Sequence, residues 1–191
     1  VNLPNSITAS RIVMAPVFFL VCFIPEWTDA FYLGSVVVLW LLFALIEVSD
    51  ALDGALARKR DEVTALGKLL DPFSDVISRL TYFVCFVALG VMPTWIFIIL
   101  MYREFGIVFL RLMMVQRNLV LAARLGGKLK AVTYTGCGAA GLLLISATRI
   151  TAFAGAVPVL TSIVLIVFIA AAVLSVASFA DYLLVASKTK A

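Results

Sequence analysis

An all-α integral membrane protein with six transmembrane helices is the fold class this sequence predicts, on three observations. Of its 191 residues, 64% are hydrophobic and only 14% charged, and the mean hydropathy is +1.15. A soluble domain is about 45–50% apolar and about 25% charged, so this surplus exceeds what one aqueous core can hide. The apolar residues fall in six runs, each close to the roughly 20 residues that a bilayer span needs. Most charged residues gather between those runs. Six spans consume about 120 residues, so residues 1–191 are expected to form a single six-helix domain with no second, soluble one.

The first run, 7–24, carries Arg11 and lacks a basic head followed by a small-residue cleavage site, so it reads as a retained span rather than a signal peptide. Pro25-Glu26-Trp27 marks its end, and the second run covers 30–48. After it comes Arg58-Lys59-Arg60-Asp61-Glu62, which must reach water. The third run, 69–91, closes at Gly90-Val91-Met92-Pro93, a combination that favours a turn. The fourth, 94–112, is separated from the fifth, 131–147, by a charged connection over 116–130. A break over 149–158 precedes the sixth run, 157–186. Small residues from Gly136 to Gly141 let helix backbones approach closely in lipid, as a dimer seam or as packing within one subunit. Cys22, Cys85 and Cys137 lie in apolar runs without CxxC spacing, which suggests packing or lipid-facing roles and neither a disulfide framework nor a thiolate metal site.

With both termini in the cytoplasm, Arg149 is the one clearly external residue among 15 Lys and Arg, a strong positive-inside bias. The net charge of +4 therefore reads as topology and attraction to anionic lipid, with no nucleic-acid module in the pattern. The sequence has no histidine, so any acid–base chemistry must rest on carboxylates, lysines, arginines or hydroxyls.

Four aspartates stand at the ends of the second and third runs. At about 100° per residue, Asp50, Asp53, Gly54 and Ala57 share one helix stripe, and Gly67, Asp71 and Asp75 share another. A short charged connection brings the two helices antiparallel, so the stripes are expected to meet near the inner membrane surface. Four carboxylates in a low-dielectric pocket repel one another unless cations neutralise them. Two divalent ions, Mg²⁺ or Mn²⁺, meet that need with hard oxygen ligands, and such a pair is the usual clamp for displacement at phosphorus. Gly54, Ala57 and Gly67 lack bulk where a ligand presses on backbone, and Arg58 offers a fork for phosphate oxygens, so the spacing favours a diphosphate ligand. Buried ion pairing alone, or an acidic ring lining a cation transporter's path, would explain the acids but not the small residues or Arg58.

Those residues match the gapped pattern DxxDGxxAR, eight residues, GxxxDxxxD at every specified position: Asp50, Asp53, Gly54, Ala57, Arg58, Gly67, Asp71 and Asp75. The sequence thereby closely resembles the CDP-alcohol phosphotransferase family, and a pattern of this length is far more specific than a lone glycine motif. The segment from Asn2 to Thr8 with Arg11, the run Arg103-Glu104-Phe105 with Arg111, and Gly127-Lys128-Leu129-Lys130 look like the bacterial branch that makes phosphatidylglycerophosphate. The resemblance implies a six-helix enzyme of the bacterial inner membrane, a homodimer with its active site facing the cytoplasm. It implies that Asp50, Asp53, Asp71 and Asp75 surround two metal ions, with Asp75 also the catalytic base. By the same likeness, Gly54, Ala57, Arg58 and Gly67, beside Asp50 and Asp53, hold the cytidine diphosphate of CDP-diacylglycerol. The implied reaction transfers the phosphatidyl group to sn-glycerol 3-phosphate and releases CMP.

An acceptor phosphate needs cations of its own, for which Arg111, Lys128, Lys130 and Arg79 are the candidates; Glu104 shares a helix face with Arg111 and is expected to orient it. The sequence departs from the branch at Val76, where a lysine is usual, and at Ala131, where the pattern has threonine. Glu47 adds a fifth acid one turn before Asp50, placed to pair with Arg79 or to repel an anionic acceptor. Another acceptor, such as inositol phosphate or choline, is therefore the alternative within the family.

Overall fold

The structure, a computed structural model, describes residues 3–60, 65–116 and 125–188. Six long helices make up nearly all of it: α1 (Leu3–Thr28), α2 (Tyr32–Arg60), α3 (Ala65–Ala88), α4 (Thr94–Gln116), α5 (Leu125–Arg149) and α6 (Val157–Lys188). The shortest, α4, has 23 residues, which at 1.5 Å per residue is about 34 Å, enough to cross a hydrocarbon core of about 30 Å. By both length and composition, Thr8–Thr28, Tyr32–Asp50 and Thr151–Val185 qualify as membrane spans among the described residues. α3, α4 and α5 are as long but carry the charges that line the interior, including Asp75, Arg79, Arg103 and Glu104. The chain is an all-α membrane protein.

The turns are where residue chemistry puts them, with one exception. α3 stops at Ala88, Gly90 takes φ +71°, and the Val91 and Met92 amides donate back to the Phe86 carbonyl at 2.8 and 3.0 Å. That left-handed cap needs no Cβ, and Pro93 then sets up α4. A 3₁₀ turn over Thr151–Ala156 joins α5 to α6, within the expected break. Pro25, expected to end the first helix, instead lies inside α1, which runs on to Thr28. A proline removes one backbone bond without ending a helix that is packed on both sides. The true reversal is at Asp29 and Phe31, both at positive φ, where the Phe31 ring lies against Gly34 so closely that a Cβ there would sit 2.2 Å from it.

Packing order differs from chain order. The helices form a ring, α1–α2–α5–α6–α4–α3 and back to α1, with α3 also touching α5 across the middle. α1 thus lies between α2 and α3. The α2 and α3 stripes meet as expected, Arg79 of α3 reaching Asp50 of α2 and the Tyr82 ring lying against Phe43, while α1 packs along both helices with an inward stripe of Arg11, Ala15, Phe18 and Cys22. Below the charged end, aromatic rings fill the interior. Tyr82 is the hub, with edge or tilted contacts to Phe18, Phe43, Phe83 and Phe86. The three cysteines are all buried in this core. Gly138 and Gly141 face Phe43 and Phe86 of the same chain, where an added Cβ would come within 2.4 and 2.3 Å. These two glycines therefore serve packing within the subunit, not a seam between copies.

Candidate active site

Two of the motif aspartates come together at one end of the bundle. Asp50 on α2 and Asp75 on α3 are joined by Arg11 from α1 and Arg79 from α3. Arg11 Nη1 donates to Asp50 Oδ1 at 2.8 Å and to Asp75 Oδ1. Arg79 Nη2 lies 3.5 Å from Asp50 Oδ2, and its Nη1 lies 3.5 Å from Asp75 Oδ2. Both guanidiniums are buried while the carboxylates stay partly open, so the acids face the space in front and the bases back them. Asp75 and Arg79 are one turn apart on α3 and continue into Tyr82, so one helix face passes from charge to aromatic core.

In front of the pair lies a cavity of about 180 Å³, bounded by Asp50 and Asp75, by Arg79, Arg103 and Arg111, and by Tyr182 of α6. Arg103 and Arg111 are two turns apart on α4 with Ile107 between them, an i, i+4, i+8 stripe aimed at the cavity. Arg111 is exposed at its rim, whereas Arg103 is buried and fixed by Glu104 Oε1 at 3.1 Å and Ser178 Oγ at 3.2 Å. Arg103 Nε is a buried donor without an acceptor. An apolar groove of about 600 Å³ runs beside the cavity between α1, α3 and α4, and Val76 lines both.

Of the residues singled out in the sequence, the structure brings Asp50, Asp75, Arg79 and Arg111 to one cavity. The side chains of Asp53, Gly54, Ala57, Arg58, Gly67, Asp71, Lys128 and Lys130 lie outside the described residues, although their backbones belong to α2, α3 and α5. Two assignments change. Glu47 is held by hydroxyls, accepting from Tyr82 at 3.3 Å and from Thr135 at 2.5 Å, rather than pairing with Arg79. Arg79 is instead drawn to Asp50 and Asp75, which lie within its reach. Glu104 is bonded by its neighbour Arg103, not by Arg111, because Arg103 points inward with it while Arg111 turns to the rim.

Sequence reasoning missed Arg11 and Arg103 as site residues. A signal for both exists: each interrupts an otherwise apolar heptad stripe, Arg11-Ala15-Phe18-Cys22 on α1 and Ile96-Leu100-Arg103-Ile107 on α4. A charge on the buried stripe of a membrane helix requires a partner inside the bundle.

Asp50 and Asp75 offer hard oxygen donors from two helices within the span of single guanidiniums, a donor set that suits Mg²⁺ or Mn²⁺. Among the described residues, no three His, Cys, Asp or Glu side chains gather tightly enough to hold a metal ion. A two-ion site would have to draw on Asp53 and Asp71.

Comparison with known proteins supplies the rest. Residues 1–177 match the family described as CDP-alcohol phosphatidyltransferase. A Treponema pallidum protein named CDP-diacylglycerol--glycerol-3-phosphate 3-phosphatidyltransferase is 35% identical over 190 residues, 95% of this chain and 88% of its own length. A Bacillus subtilis protein of the same name is 35% identical over 135 residues, 68% of this chain and 70% of its own. A Mycobacterium tuberculosis protein named probable phosphatidylglycerophosphate synthase is 35% identical over 144 residues, 75% of this chain and 66% of its own. With the family match spanning residues 1–177 and the motif aspartates Asp50 and Asp75 meeting at the cavity, this protein belongs to the CDP-alcohol phosphatidyltransferase family.

Proposed function

We propose that this enzyme transfers the phosphatidyl group of CDP-diacylglycerol to sn-glycerol 3-phosphate, forming phosphatidylglycerophosphate and CMP. One observation carries the reading: acids of the family motif and three arginines line a single cavity at the charged end of a membrane bundle. The printed names of the Treponema and Bacillus relatives give the same donor and acceptor.

Asp50 and Asp75, with Asp53 and Asp71 of the same motif, would hold two divalent ions. When bound, these ions neutralise the charge that develops on the diphosphate. Gly54, Ala57, Arg58 and Gly67 are the residues for the cytidine diphosphate moiety. Asp75 is the base: it takes the proton of the acceptor hydroxyl as that oxygen bonds to the lipid-side phosphorus. The bond from that phosphorus to the bridging oxygen breaks, and CMP departs with the electron pair. Arg111, Lys128 and Lys130 supply charge for the acceptor phosphate, and Arg79 sits at the junction of acceptor and aspartates. Arg103, which also lines the cavity, adds a further positive charge to it. The apolar groove meeting the cavity at Val76 suits the hydrocarbon of a lipid-linked donor. The working form is a homodimer in the bacterial inner membrane with this cavity at the cytoplasmic leaflet, the side that the positive-inside bias assigns.

The test is CMP release by the purified chain in detergent with CDP-diacylglycerol and Mg²⁺ or Mn²⁺, across a panel of alcohols. Release that depends on sn-glycerol 3-phosphate is the expected result. Release with inositol phosphate or choline alone would move the acceptor, and ion flux in vesicles without any CMP release would replace the enzyme with a transporter.

A further inference from the structure

We propose that Arg11 is a positioning residue that clamps Asp50 to Asp75 and competes with the divalent cation for these two carboxylates. The proposal rests on the metal-dependent reading above and extends the site to α1, a helix outside the motif.

The bonding pattern carries it. Both Oδ1 atoms, one from each aspartate, are bonded by the same Arg11 nitrogen, and both Oδ2 atoms lie against Arg79. All four carboxylate oxygens are thus engaged by guanidinium, with the closer contacts made by Arg11. A cation that ligates these oxygens shares them with the Arg11 guanidinium, whose positive charge opposes it at the same atoms. Access is one-sided: the Arg11 side chain is 1% exposed, while Asp50 and Asp75 are 33% and 25% exposed. The carboxylates are therefore open to an incoming ion on the cavity side while Arg11 holds them from behind. Two half-buried carboxylates facing one cavity repel each other, and removing Arg11 leaves only the longer Arg79 contacts to offset that repulsion. Arg11 keeps them assembled before an ion arrives, at the cost of opposing its entry.

Titration calorimetry with Mn²⁺ on the full chain in detergent, without nucleotide, tests this. Arg11→Gln is expected to bind Mn²⁺ about tenfold more tightly than the unmodified chain, the weight of roughly one charge-assisted hydrogen bond, and to melt at a lower temperature without metal. Arg11→Lys, which keeps the charge but loses the fork, is expected to tighten Mn²⁺ binding by a smaller factor. It also carries the test if the glutamine variant does not fold. Arg111→Gln removes a charge from the same cavity without touching either aspartate and is expected to leave Mn²⁺ affinity within about twofold. Unchanged or weaker Mn²⁺ binding in the Arg11 variants overturns the proposal, as does equal tightening in Arg111→Gln, which would reduce the effect to net charge. CMP release by the unmodified chain is scored separately: its absence rejects the phosphatidyl-transfer reading, and the Mn²⁺ titrations decide the role of Arg11.

Discussion

Each end of the helix bundle is tied by a buried arginine, and the two are neutralised differently. At the end holding the α1–α2 and α5–α6 connections, Arg149 donates to the Cys22 carbonyl at 2.6 Å, to Ser35 Oγ at 3.1 Å and to Glu26, 3.4 Å away and 46% exposed. It thereby staples α1, α2 and α5 with a backbone oxygen, a hydroxyl and a carboxylate reachable by water. At the other end, Arg11 joins α1, α2 and α3 through the carboxylates of the family motif. A helix carbonyl and a hydroxyl are neutral groups with little pull on a cation, so the first arrangement serves structure. Carboxylates beside a cavity have competing partners, so the second is exchangeable. A buried arginine is thus structural or functional according to what neutralises it, not according to its own depth.

Removing the proposed base acts hardest on this contrast. Asp75→Asn is expected to lower kcat for CMP release by about 10²–10⁴-fold while the protein still elutes as a folded species, as loss of a general base requires. Turnover within tenfold of the unmodified chain would take that role from Asp75. Next in size, Arg111→Ala is expected to raise the KM for sn-glycerol 3-phosphate by about 10- to 100-fold, the effect of one charged hydrogen bond, with the donor KM little changed. A matching rise in the donor KM would show that the cavity rim does not separate the two substrates.

At the opposite end the sign of the dissociation reverses. Arg149→Ala is expected to lose about 1–3 kcal/mol of stability, seen as an earlier thermal transition in detergent, because the Ser35 and Cys22 oxygens lose their donor. Its kcat at a temperature where it remains folded should equal that of the unmodified chain; a large kcat loss would mean the two ends are coupled. The smallest effect belongs to Glu47→Gln, which keeps an acceptor for Tyr82 and Thr135 and is expected to change stability by less than about 1 kcal/mol. A marked fall in the acceptor KM for that variant would mean that Glu47 does repel an anionic acceptor.

Much of this molecule is legible in its sequence, for local reasons. Six apolar runs mark six helices because backbone polar groups in lipid must be satisfied within each segment. Gly90 and Pro93 mark the α3–α4 turn because a left-handed cap and a fixed φ are single-residue properties. The motif aspartates announce themselves because a carboxylate at a membrane depth is costly unless used. Pro25 misleads for the opposite reason: whether a proline ends a helix depends on what packs around it, and α1 is held by both α2 and α3.

The sequence by itself determined the class of fold, the number of helices and their approximate places, the donor motif and the family, because composition, periodicity and gapped identity are carried by the chain in order. Tertiary structure alone decided that α1 lies between α2 and α3, and hence that Arg11 reaches both Asp50 and Asp75. It also decided that Glu47 answers to Tyr82 and Thr135, and that Gly138 and Gly141 receive rings of the same chain. Contacts between residues 39, 64 or 88 positions apart follow from the order of helices around the ring. No periodicity within a single helix encodes that order.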